Sequence, residues 1–128
     1  MGAIYLDYTG VRVTNLPRAV RFFTKGLGLT ETRRGTMEHG GTWVLLHDPA
    51  SHQNLELNYY PKGNPYASAF SPGEGLDHIG FRTRNLSEAG RLLRKAGARR
   101  LMRELWRGQP VAEFYEGPDG IWIELIRS

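Results

Sequence analysis

At 128 residues the chain suffices for one hydrophobic core of ordinary size and is short for two. Apolar residues make up 40% and charged residues 23%, which excludes a disordered tail; the lack of cysteine excludes a disulfide framework, a thiolate nucleophile and a Cys-ligated metal, while four histidines keep metal chemistry open. The net charge of +4 permits an anionic ligand without demanding one, and neither a signal-type leader nor an apolar run near the ~20 residues of a membrane span is found, so a soluble cytoplasmic protein without membrane contact is expected.

Tyr8 to Val13 alternates, with Val11 and Val13 on one side and Tyr8, Gly10 and Arg12 on the other, and predicts a half-buried strand. Asn15 stands where an N-cap belongs and Pro17 fits the first turn, so a helix follows to about Lys25, ended by Gly26 and Gly28. Thr42 to His47 and Asn54 to Tyr59 read as strands. Pro61 to Pro65 and Ser71 to Gly75 mark a turn-rich connection. Then the plan recurs: a strand from His78 to Thr83, a cap at Asn85, and a helix to about Ala96. Strands follow near Arg99 to Glu104, Ala112 to Tyr115 and Trp122 to Ile126, with Gly117-Pro118-Asp119-Gly120 as a turn.

The recurrence is visible in the letters. YTGVRVTNLPRAVRFFTK, residues 8–25, lies over HIGFRTRNLSEAGRLLRK, residues 78–95, with seven of 18 positions identical. Leu55-Glu56-Leu57 lies over Ile123-Glu124-Leu125. The expectation is one domain over residues 1–128, built from two βαβββ modules at about 8–60 and 78–128, an α+β fold.

A period of two puts the apolar flanks of Glu56, His78 and Glu124 under the helices and the polar residues on the other face. A lone strand glutamate usually faces water; one at the matching place in both halves is a stronger signal. If the halves are related by a pseudo-twofold, Tyr8, Glu56, His78 and Glu124 converge, and two carboxylates with an imidazole suit a divalent cation. His39, His47 and His52 read as non-ligands. Tyr8 is otherwise an aromatic wall residue, and Arg12 either a solvated side chain or a contact for a substrate carboxylate or phosphate. The basic run Arg91 to Arg100, followed by Arg103 and Arg107, reads as a solvated helix face and its C-terminal turn. No aromatics interleave it, so nucleic acid is not expected as a partner.

The opening YTGVRVTNLPRAVRFFTKGLGL, the segment GEGLDHIGFRTRNL and the closing EGPDGIWIELI resemble the vicinal oxygen chelate superfamily over nearly the whole chain, most of all its bacterial glyoxalase I (lactoylglutathione lyase) type. The resemblance implies two βαβββ modules forming a U-shaped mixed sheet around a central cavity, usually in a homodimer. It implies a divalent metal ion (Zn, Ni, Mn or Fe) and three of the family's four ligands at Glu56, His78 and Glu124. It further implies lyase or isomerase action on a hemithioacetal or similar 2-hydroxycarbonyl compound through a metal-stabilised enediolate. Glu124, with Glu56 as the second candidate, is the implied catalytic carboxylate; Arg12, Tyr8 and Asn58 are implied substrate contacts. The sequence departs from the pattern at the first ligand position, which holds Tyr8 in place of histidine, and at Tyr60, where glyoxalase I has asparagine. An acyl-CoA epimerase and a metal-free small-molecule binder of the bleomycin-resistance kind remain open beside the isomerase. An Fe(II) extradiol dioxygenase fits less well, because only one of its two histidines is present.

Overall fold

Asn15 and Asn85 each cap a helix at the same point of the repeat. Their side-chain oxygens accept from the backbone N–H of Arg18 (3.1 Å) and Glu88 (3.0 Å), and each cap directly follows the first strand of its half. The computed structural model describes residues 7–37, 40–64, 69–71, 76 and 78–128. Residues 1–6, His39 and most of the connection between the halves, including 65–68 and 72–75, lie outside them.

The elements run β1 (Thr9–Arg12), α1 (Leu16–Arg21) with a π-helical turn (Phe22–Gly26), β2 (Thr30–Thr36), β3 (Thr42–His47), β4 (Asn54–Tyr59), β5 (His78–Thr83), α2 (Leu86–Lys95), β6 (Arg99–Trp106), β7 (Gln109–Glu116) and β8 (Trp122–Arg127). The two sheets have the same order, β1-β4-β3-β2 and β5-β8-β7-β6, with the first pair of each parallel and the rest antiparallel. This is the α+β arrangement of two βαβββ units that the repeat predicted.

Two local features differ from the sequence expectation. TETRRGT at Thr30–Thr36 has no apolar alternation and predicts no strand, yet the segment pairs as an outer strand, exposed along nearly its whole length. The first helix is α-helical only to Arg21 and then widens into a π turn. Phe22 and Phe23 are both fully buried, 5.2 Å apart and edge to face. The wider turn brings consecutive side chains closer to one face, so both rings enter the core.

One apolar cluster joins the two halves. Val11, Leu55 and Leu57 of the first sheet, Phe22 and Phe23 of the π turn, Leu93 of α2, and Ile123 and Leu125 of the second sheet all belong to it. Gly26 lies against α2, where a Cβ would stand 3.0 Å from the Ala96 methyl. Gly117 lies against the Phe22 ring in the same way, at 3.2 Å. The 3-10 turn Pro118–Gly120 is fastened to the corner after β1: the Asp119 carboxylate accepts from the Thr14 backbone N–H (2.7 Å) and from the Thr14 hydroxyl. Asp119 has φ 59°, a left-handed conformation that aspartate tolerates better than most residues. Each sheet thus turns one face to a shared helical core, and its other face points away from that core. No helix among the described residues is long and apolar enough to cross a membrane.

Candidate functional site

On β8, Ile123 and Leu125 enter the core while Trp122, Glu124 and Ile126 face the other way. Parallel pairing sets Gly80 of β5 beside Glu124, and His78 lies on the same face two residues earlier. His78 Nε2 stands 3.4 Å from Glu124 Oε2. A Cβ on Gly80 would sit 3.8 Å from that carboxylate, so the glycine keeps the approach to Glu124 open. Phe114, paired with Glu124 from β7, sets its ring edge to face against His78 at 5.6 Å and lies 6.2 Å from Trp122. The pair is thus walled on one side by two aromatic rings, and its side chains keep 37% (His78) and 19% (Glu124) of their exposure.

The first sheet repeats this layout. Gly10 pairs with Glu56 and Arg12 with Asn58. The Asn58 side chain fills the space beside Gly10, where a Cβ would meet its Nδ2 at 3.2 Å. Burial raises the Glu56 carboxyl above its ordinary pKa, and the hydrogen bond to Asn58 offsets part of that rise. The Arg12 guanidinium lies 5.8 Å from the Tyr60 ring centre and 5.4 Å from that of Phe70. Trp43 lies across Gly35, whose missing side chain makes the room, and Arg33 stands 5.9 Å above the Trp43 ring. Tyr8, just before β1, is 44% exposed.

The structure therefore brings His78 and Glu124 together and keeps Glu56 on the other sheet. Among the described residues no group of three His, Asp or Glu side chains stands close enough to hold a metal ion. The convergence of Tyr8, Glu56, His78 and Glu124 expected from the repeat is not found within one chain. Glu56 stands on one four-stranded sheet and the His78–Glu124 pair on the other, and the two sheets are joined through one apolar cluster.

The donor chemistry still suits a divalent ion at the second sheet. Two ligands bound at about 2.0–2.2 Å in a tetrahedral arrangement stand roughly 3.3–3.6 Å apart, which is the spacing of His78 and Glu124. Beside His78 a cleft of about 680 Å³ opens between the two halves, with Asp48, Ser51 and Asn54 on one side and Ile79, Phe81 and Arg82 on the other. His47 is occupied elsewhere, its Nδ1 lying 2.8 Å from Asn54 Oδ1.

Sequence reasoning missed Phe114 and Phe70. Phe114 is recognisable only once β7 is registered on β8; Phe70 lies in a connection with no periodicity to place it.

The model of the glyoxalase/bleomycin resistance protein/dioxygenase superfamily matches residues 5–125. The chain belongs to this superfamily. A superfamily relative, the lactoylglutathione lyase of Escherichia coli O157:H7, is 30% identical over 129 aligned positions, covering 96% of this chain and 92% of that protein. The trypanothione-dependent glyoxalase I of Leishmania major superposes with a TM-score of 0.75 at 27% identity, over 98% of this chain and 87% of that one. The antibiotic-binding protein TnmS3 of Streptomyces sp. CB03234 shares the superfamily fold, with a TM-score of 0.68 at 18% identity over 99% of this chain and 98% of that one.

Proposed function

We propose that this protein is a glyoxalase I-like isomerase of a hemithioacetal or a similar 2-hydroxycarbonyl compound, dependent on a divalent metal ion. The observation that carries the reading is the His78–Glu124 pair, set at ligand spacing on the sheet face turned away from the core. His78 and Glu124 would hold the ion from one chain. Glu56, on the equivalent face of the other sheet, would come from a second copy, so the working form is a homodimer. The ion would supply Lewis-acid stabilisation to negative charge developing on the substrate's oxygen.

The remaining chemistry falls to the chain. Glu124 takes a proton from the carbon that bears the hydroxyl and returns it to the neighbouring carbonyl carbon, while the hydroxyl proton passes to the neighbouring oxygen; one carbon is oxidised by two electrons as the other is reduced by two, and the composition is unchanged. Phe114 and Trp122 keep water from that face of the site. Arg12 and Asn58 share the face of Glu56, where a cation and an amide would orient an anionic substituent of the substrate.

The test joins metal analysis to an isomerisation assay. Protein purified without chelator should hold close to one equivalent of a transition metal per site. It should convert a preformed hemithioacetal to its thioester, and lose both properties as His78→Ala. Metal below about one-tenth of an equivalent, not regained on incubation, would overturn the proposal in favour of a metal-free binder.

A further inference from the structure

Between residues 88 and 116 the chain carries seven basic side chains against four acidic ones, an excess of three out of the whole chain's +4. The structure sorts them. Arg91 is paired with Glu88 along α2, and Arg99 with Glu116 across β6 and β7. Glu104 pairs with Ala112 and so lies on the His78 face of the sheet. Lys95 and Arg107 are exposed at the end of α2 and in the hairpin turn.

Arg94, Arg100 and Arg103 behave differently: they gather around one buried pair on the opposite face. The Glu113 carboxylate, 3% exposed, accepts from the Tyr115 hydroxyl (2.8 Å), from Arg103 Nε (2.8 Å) and from Arg100 Nη1 (3.2 Å). Arg94 Nη1 reaches down from α2 to the Tyr115 oxygen at 3.0 Å. Two guanidiniums thus hold the carboxylate and a third holds the phenol bonded to it, a local charge of three minus one. Burial and the Glu113 charge push the Tyr115 phenol up to about 12, so it cancels none of that excess near neutral pH.

The cluster is built into the fold. Gly90 in mid-helix lets the Tyr115 hydroxyl and Glu113 come up beneath α2, where a Cβ would collide with the hydroxyl and crowd the carboxylate. Such a glycine costs a helix roughly 1 kcal/mol relative to alanine. Glu113 and Tyr115 hold the arginines from below, while the Arg100 and Arg103 side chains keep 40% and 42% of their exposure. Each guanidinium carries five N–H groups and, among the described residues, gives one to the buried pair.

We infer that Arg94, Arg100 and Arg103 form a binding site for a phosphate group, on the side of the second sheet opposite His78 and Glu124. The charge of a phosphate dianion matches the local excess. Its oxygens accept the paired N–H groups that a guanidinium offers in one plane. A monocarboxylate would leave half the excess unmet. The phosphate comes as the free ion or as the end of a phosphorylated metabolite, and the two sources are separable by titration.

The experiment follows the arginine Nε–H signals of the full chain by 15N–1H NMR. Inorganic phosphate, glycerol phosphate and sodium chloride are titrated in turn, with ionic strength held constant for the two phosphates. The expected result is saturable shifts at Arg94, Arg100 and Arg103, with a dissociation constant on the order of 1 mM or below. Tighter binding of glycerol phosphate assigns the metabolite, and equal or weaker binding the free ion. Arg103→Gln should weaken binding about tenfold or more, and Arg94→Gln, which touches only the phenol, by a smaller factor. Arg18→Gln on α1 and His78→Ala should leave it unchanged, which separates this site from the isomerase. Shifts that grow linearly and equal those from sodium chloride, or saturable shifts centred on other residues, would overturn the inference.

Discussion

The hydroxyl of Tyr115 occupies the space that a methyl group on Gly90 would fill. Alanine at a helix-interior glycine ordinarily gains about 1 kcal/mol. Here it must push the phenol away from Glu113 and Arg94. Gly90→Ala is therefore expected to lose about 2 kcal/mol in urea unfolding. A gain in stability would show that the network moves aside freely.

The same network fixes a pH dependence. Burial works to raise the Glu113 carboxyl, and the hydrogen bonds from Tyr115 and Arg103 together with the charges of Arg103 and Arg100 outweigh it, so its pKa lies below the ordinary value. The stabilisation from Glu113 is thus full above the unfolded value of about 4.3 and is lost as pH falls through the folded value. Tyr115 has the opposite sign: its stabilisation is full below the unfolded value of about 10 and lost as pH rises through about 12. Melting temperature against pH should fall more steeply with acid in the wild type than in Glu113→Gln, and more steeply with alkali than in Tyr115→Phe. Parallel curves would contradict the assignment.

Asp119→Ala removes the acceptor for both Thr14 donors and leaves a residue ill suited to a positive φ. A loss of about 1–3 kcal/mol is expected. Asp119→Asn should retain part of it, since asparagine tolerates the conformation and its carbonyl still accepts. Chemical denaturation of the three proteins checks the ranking.

Tyr8 tests the carry-over of the family's first ligand position. If its hydroxyl meets a water bound to the ion, Tyr8→Phe should leave metal affinity nearly intact and change the rate by the ~0.5–1.5 kcal/mol of one hydrogen bond. Tyr8→His should tighten Ni²⁺ or Zn²⁺, because a neutral imidazole ligates more readily than a phenol at pH 7. Equal affinities in all three proteins would place Tyr8 outside the site.

The repeat made most of the fold legible. Identities at Gly10/Gly80 and Asn15/Asn85 mark the same positions in each half: a glycine paired with the strand glutamate and a helix cap. What sequence could not supply was the relation of one half to the other. Equivalence between Glu56 and Glu124 says nothing about how their sheets are joined; that is decided by the one apolar cluster that holds Phe22, Phe23 and Leu93. β2 escaped because TETRRGT carries no periodic signal; what fixes it is its pairing with β3. Glu113 escaped because its strand is apolar on both faces, and the arginines that let a carboxylate be buried arrive from α2 and β6.

The contact between Asp119 and Thr14 also bears on how the chain is made. The acceptor for the Thr14 N–H lies 105 residues further along. At ribosomal speeds of ~5–20 residues per second, it is synthesised about 5–20 s after its donor. Through that interval the corner after β1 stays unfastened, and Phe22 lacks the cover that the turn at Gly117 later supplies. A nascent first module thus waits for the last strand pair before its first corner is closed and Phe22 is fully covered.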